Sequence, residues 1–268
     1  MDRLILILVL IVFFVSCNKD KKIIKRYDSG KIESIHYYGS DRTIDSSYLY
    51  YPTEEIRQIV YFKEKDTINS TILFDQNRDK YAQGSIVKNN LDYRIGKWHF
   101  YNDSETDSIV EYINVNNEPY VNQIWILDKK SKDTVKNKGN FYEIYTKDTI
   151  YTIDTLRIRF YLYLPNISYD SDIEVIMPKN DKELKDDFSN IYEVEKDTFY
   201  SLKNDGIPHP EIPEEVPVNH NVNFGLIYNE PGKKRIRGYL AEYVEKKNGE
   251  RIERRLYFDK NIYVKDTL

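Results

Sequence analysis

The chain has 268 residues, with 40 Lys and Arg interleaved among 44 Asp and Glu for a net charge of −4, so its sequence carries no basic stripe of the kind that tracks a nucleic-acid backbone. A single cysteine leaves none for disulfides or a thiolate metal centre, and stability must come from packing. The 25 tyrosines, with Ile, Val and Thr in short runs, make a composition of half-exposed β-sheet. The length exceeds one usual domain and predicts two.

At the N-terminus, Leu4 to Val15 is an unbroken apolar run preceded by Asp2 and Arg3 and followed by Ser16, Cys17, Asn18 and Lys19. A bilayer needs about 20 apolar residues, so this run has the length of a signal-peptide core rather than of a span. Residues 1–16 therefore read as an export signal, with an uncleaved membrane anchor as the alternative. The Ser16-Cys17 junction resembles the lipobox of bacterial lipoproteins. Phe14 stands where that motif usually has a Leu-type residue, and Asp2 offsets the charge of Arg3. The resemblance implies that Cys17 carries a lipid such as a palmitate chain and becomes the first mature residue, with 17–22 as a tether to an envelope membrane. Asn18 resembles the residue found in lipoproteins sent to the outer membrane.

Next comes an internal repeat. Tyr27, Ile32, Ile35 and Tyr37 recur as Tyr51, Ile56, Ile59 and Tyr61, at an offset of 24 residues and with turn-forming residues after each leading tyrosine. Each unit reads as a β-hairpin. A third start is expected at Phe74 and a fourth at Phe100-Tyr101. The segment Gly96-Lys97-Trp98-His99-Phe100-Tyr101, followed by a polar turn and by Ile109, Val110 and Tyr112, resembles the MORN-variant repeats of bacterial lipoproteins. The resemblance covers about Lys22 to Lys130, and it implies an elongated antiparallel sheet of stacked hairpins over 23–132 and no reaction. Aromatics at each repeat are expected to pack against those of the next hairpin, with Trp98 and Tyr101 as the candidates for ligand contact.

The polar stretch 133–140 is expected to be a linker, followed by a second domain over 141–268. From 156 to 164 the alternation is strict, with Leu156, Ile158, Phe160, Leu162 and Leu164 facing one way and Arg157, Arg159, Tyr161 and Tyr163 the other. Val222, Phe224, Leu226 and Tyr228 alternate up to the Pro231-Gly232 turn, a strand returns over 235–244, and Asn248-Gly249 is a strong hairpin signal leading back through 251–258. These short strands predict an immunoglobulin-like β-sandwich, an architectural analogy that carries no activity. One helix is expected over 180–191, from the Asn180/Glu183 capping pair and the spacing of Leu184, Phe188 and Ile191. Residues 207–218, with Pro208, Pro210, Pro213 and Pro217, must form an extended loop.

Catalytic chemistry finds little footing. Cys17 is committed to the anchor, His36 and His99 lie in repeat strands, His209 and His220 flank the proline-rich loop, and no catalytic or phosphate-binding motif is present. His209, Glu211, Glu214 and His220 are competent metal ligands whose spacing matches no common site. The carboxylates of 103–107 lack the glycine of a calcium loop and read as a solvated turn. The expectation is a mostly β, non-catalytic, membrane-anchored envelope lipoprotein without cofactor or nucleic-acid partner. It would bind an envelope protein or a polysaccharide or serve as a structural module, with Trp98, Tyr101, His209 and His220 as the candidate surface. The alternative is an envelope hydrolase acting on glycan or peptide through acidic residues near 207–218.

Overall fold

Three turns of one geometry organise the N-terminal repeats. In each, the leading residue's N–H bonds the carbonyl four residues on, Tyr27 to Lys31, Tyr51 to Glu55 and Asp75 to Asp79, at 2.9, 2.9 and 3.0 Å. The fourth residue of each, Gly30, Glu54 and Arg78, is left-handed, with φ of +80°, +79° and +72°. A three-residue hairpin loop closed by a left-handed residue has this form, and it brings a bulge with it. The pairing register shifts accordingly at Lys25/Arg26, Leu49/Tyr50 and Leu73/Phe74. The third repeat thus starts at Asp75, one residue beyond the expected Phe74.

The computed structural model describes residues 21–62, 68–88, 90–102, 105–180 and 183–267. The first part of the chain forms strands β1 (Lys21–Arg26), β2 (Ile32–Tyr38), β3 (Ile44–Tyr50), β4 (Ile56–Tyr61), β5 (Ile68–Phe74), β6 (Lys80–Val87), β7 (Asn90–Asn102), β8 (Glu105–Val115), β9 (Glu118–Leu127) and β10 (Thr134–Asn140). They follow one another in a single ten-stranded sheet of consecutive antiparallel hairpins. Neighbouring repeats interlock through their tyrosines. The Tyr27 hydroxyl donates to the carbonyl of Tyr50 at 2.6 Å, and that of Tyr51 donates to the carbonyl of Phe74 at 3.0 Å. Tyr37 and Tyr48 pack edge to face at 5.5 Å, the expected contact between hairpins.

The segment 133–140 is a strand rather than a linker. Its pairing with β9 includes Gly139 opposite Trp125. Gly139 has φ +85°, and a Cβ there would meet the Ile124 carbonyl oxygen at 2.3 Å, so only glycine lets the two backbones approach. The chain falls into two compact units, 1–91 and 92–268, so β7 from Asp92 onward and all of β8, β9 and β10 belong with the C-terminal half.

That half adds β11 (Tyr142–Tyr145), β12 (Thr149–Tyr151), β13 (Thr155–Leu162), β14 (Asp172–Pro178), β15 (Lys196–Tyr200), β16 (Asn221–Ile227), β17 (Gly232–Glu245) and β18 (Arg251–Lys265). Two sheets result, one ordered β11-β13-β16 and the other β12-β18-β17-β14-β15, packed as a β-sandwich. The inward side of β13 (Leu156, Ile158, Phe160 and Leu162) meets Val175, Leu240, Leu256 and Phe258 in one buried cluster. The rings of Phe160 and Phe258 lie 4.8 Å apart. Burial of each such side chain contributes roughly 1.5–3 kcal/mol. The loop at Asn248-Gly249 has the three-residue form of the repeats, with Lys246 bonded to Glu250 at 2.8 Å and Gly249 at φ +80°.

The outer face of the five-stranded sheet carries a second cluster, in which Ile176, Tyr239, Ala241 and Tyr257 are covered by Val115 and by Leu184, Phe188, Ile191 and Val194. The expected apolar face of 180–191 is therefore buried, but no α-helix forms among its described residues. The helical hydrogen bonds are replaced. Arg237 takes the carbonyls of Leu184 and Lys185 at 2.6 and 2.9 Å, and the Asn190 amide bridges Lys185 N–H and the Glu183 carbonyl at 2.9 and 2.7 Å. Side chains that satisfy backbone groups in this way compete with a helix, and here they win. The proline-rich stretch 207–218 is a loop, as expected, ending in a 3₁₀ turn at Val218–His220.

Candidate functional site

Alternation along β13 that sends Leu, Ile and Phe into the core must send Arg157, Arg159 and Tyr161 outward, with Tyr163 following just beyond the strand's end. Pairing then decides their neighbours, because residues directly opposite on adjacent strands share a face. Tyr145 of β11 lies opposite Arg159, and Glu143 opposite Tyr161. On the other side, Asn223 lies opposite Arg159 and Gly225 opposite Arg157. The outer face of the three-stranded sheet is thus a row of guanidinium groups and phenol rings.

The row is ordered by cation–π and hydrogen-bond contacts. The Arg159 guanidinium sits 5.7 Å from the Tyr145 ring and 5.6 Å from that of Tyr161. Its Nε donates to Asn221 Oδ1 at 2.8 Å, and the Asn221 amide donates to the Pro217 carbonyl at 2.9 Å, which ties the end of the proline-rich loop to this face. Tyr161 and Tyr163 meet edge to face at 4.6 Å, and Tyr163 stacks on buried Phe141 at 4.8 Å. Lys136 of β10 lies 4.2 Å from the Tyr163 ring.

Glu143 is fully engaged. It accepts from Lys136 at 2.5 Å, from Tyr163 at 2.9 Å and from Tyr145. Partial burial works against its charged form, but these donors outweigh it and hold the carboxyl below its ordinary range. The Tyr145 hydroxyl is pushed strongly upward, by desolvation first and then by donation to Glu143, so it stays protonated and acts as a donor. Arg157 is exposed and, among the described residues, pairs with no carboxylate. Beside it, Gly225 leaves an open hollow of 440 Å³ lined by Tyr145, Thr155, Arg157, Arg159 and Asn223. A Cβ on Gly225 would meet Thr155 Cγ2 at 2.7 Å, so the glycine keeps this floor clear.

The residues singled out from sequence lie elsewhere. Trp98 is only 1% exposed, so it forms no part of a binding surface. Its ring packs edge to face on Tyr112 at 6.2 Å and under the Arg94 guanidinium at 4.6 Å. Tyr101 is half-buried on β7, opposite Thr106. His220 is buried, 4% exposed, and is likewise removed from the surface. Burial holds its pKa below the ordinary histidine value. His209 is held by Asp205 at 2.8 Å and Glu211 at 3.4 Å, and the bond to Asp205 foremost raises its pKa. With both ring nitrogens turned to carboxylates, its imidazole is oriented but occupied. Among the described residues, no group of three or more His, Cys, Asp or Glu is placed to hold a metal ion, and no helix is long and apolar enough to cross a membrane. Cys17 and the expected signal segment 1–16 lie outside the described residues, as do positions 103 and 104 of the expected acidic turn.

The Arg/Tyr face was present in the sequence as the outward half of the β13 alternation. Its other members, Glu143 and Tyr145 of β11 and Asn223 and Gly225 of β16, come to it only through strand pairing. The chain matches no protein-family model and no curated protein. Its chemistry is therefore read from geometry: exposed aromatic surface, an Arg159 guanidinium fixed by Asn221, a solvent-facing Arg157 guanidinium and an open floor.

Proposed function

We propose that this protein is a lipid-anchored component of a bacterial cell envelope that binds another envelope molecule without transforming it. The observation that carries this reading is the outer face of β13, where Arg157, Arg159 and Tyr161 line up beside Tyr145 and the Gly225 hollow. Rigid aromatics and preorganised guanidinium groups are the residues that anchor recognition surfaces. The apolar run ending at Cys17 supports the anchor, and the repeats, which resemble MORN variants, support a scaffold that carries the sandwich.

The test is cross-linking on intact cells, with fatty-acid labelling in parallel. Wild-type protein takes the label and recovers an envelope component. Cys17→Ser abolishes labelling, and Arg157→Gln with Arg159→Gln abolishes recovery while membrane attachment persists. Absence of label together with recovery unaffected by the arginine changes overturns the reading.

A further inference from the structure

The occupant of the β13 face can be narrowed by its charge and shape, and this step rests on the binding role argued above. The whole chain carries −4, yet this face gathers Arg157, Arg159 and Lys136 against the single carboxylate of Glu143, which Lys136 already neutralises. Two guanidinium groups remain for a ligand. They stand on the same side of one strand, on Cα atoms about 7 Å apart from the rise per residue. A guanidinium presents a planar fork that matches a carboxylate, and Arg159 is held in position by Asn221. The groups continue beyond the arginines, with Tyr161 next along β13, Tyr163 in contact with it just past the strand's end and Lys136 lying against Tyr163.

We infer that this face binds a linear polysaccharide bearing carboxylates, with one acidic sugar seated in the hollow above Gly225. Sugar rings are amphipathic: their C–H faces lie on phenol rings while their hydroxyls meet polar donors. The face offers both, since Tyr145 is 46% exposed and Asn223 sits beside the hollow. A peptide that adds a strand, by contrast, gains its affinity from main-chain bonds along a sheet edge with pockets for alternate side chains. Here the recognition groups lie on the sheet face, around an open hollow.

The test uses the full-length protein in detergent micelles and affinity electrophoresis through gels containing polygalacturonate, dextran, dextran sulfate or oligothymidylate. Retardation by polygalacturonate and not by dextran is expected, with affinity falling about tenfold for Arg157→Gln and for Arg159→Gln. Arg157→Lys keeps the charge and loses the fork, so it is expected to bind like the Gln variant. Gly225→Val closes the hollow and is expected to abolish retardation, and Tyr145→Ala, an exposed change that spares the core, serves the same end if that variant misfolds. Equal retardation by dextran sulfate, unaffected by Arg157→Lys, overturns the proposal in favour of unspecific charge. Stronger retardation by oligothymidylate overturns it in favour of nucleic acid. If polygalacturonate fails while the arginine variants still lose recovery from cells, the sugar assignment falls and the binding face stands. If both fail, both fall.

Discussion

The side-chain amide of Asn122 binds both backbone groups of Tyr257, accepting from its N–H at 2.7 Å and donating to its carbonyl at 2.9 Å. One side chain thereby does for β18 what a neighbouring strand would do, and it fastens the last repeat hairpin to the sandwich. Glu111 holds the same amide at 2.6 Å, and the Tyr120 and Tyr142 hydroxyls cap the Arg255 and Tyr257 carbonyls, each at 2.8 Å. Asn122→Ala leaves buried backbone groups with fewer partners, and a loss of about 3 kcal/mol is expected. Urea denaturation measures it, and a loss under about 0.5 kcal/mol would show that water replaces the amide at no cost.

The interlocking tyrosines of the repeats give a second expectation. Tyr27→Phe and Tyr51→Phe keep the rings and delete the bonds to Tyr50 and Phe74. Each is expected to cost about 1 kcal/mol. Equal effects at the two positions would establish equivalent repeats, and hydrogen exchange at the neighbouring turns would localise the change.

Glu54 sits where the first repeat has Gly30, exposed and at φ +79°. A non-glycine residue in this region is strained, so Glu54→Gly is expected to stabilise by about 0.5–1 kcal/mol despite the added freedom of the unfolded chain. Arg78→Gly, at φ +72°, should act in the same direction. A lowered denaturation midpoint for both would refute the strain argument.

His209 lies within one loop and His220 at its end, and the two are expected to respond to pH with opposite sign. The pKa of His209 is raised above 6.5, so its stabilisation is full below that value and is lost as pH rises through the folded-state pKa. The pKa of His220 is lowered from 6.5 by burial. The unfolded chain then binds a proton first, and stability is lost as pH falls below 6.5 towards the folded-state value. Denaturation midpoints from about pH 5 to 8 would read both effects. Relative to the native protein, His209→Gln should be weakened most at the acid end, and His220→Gln should lose its acid sensitivity.

Much of the fold is written in short-range pattern. The repeat spacing, the strict alternation of β13 and the turn at Asn248-Gly249 are each encoded within a few neighbouring residues, because side-chain direction and turn chemistry are local properties. So sequence alone determined a β architecture of hairpins followed by a sandwich, and it named the outward residues of β13. Tertiary structure decided the rest. It made a strand of the Lys- and Asn-rich 133–140, gave the carbonyls of 184 and 185 to Arg237 in place of a helix, buried Trp98 and His220, and set Tyr145 and Gly225 beside the arginines. Each of these outcomes depends on a partner far away in the chain, chosen by the polar groups and apolar surface that local structure leaves unsatisfied.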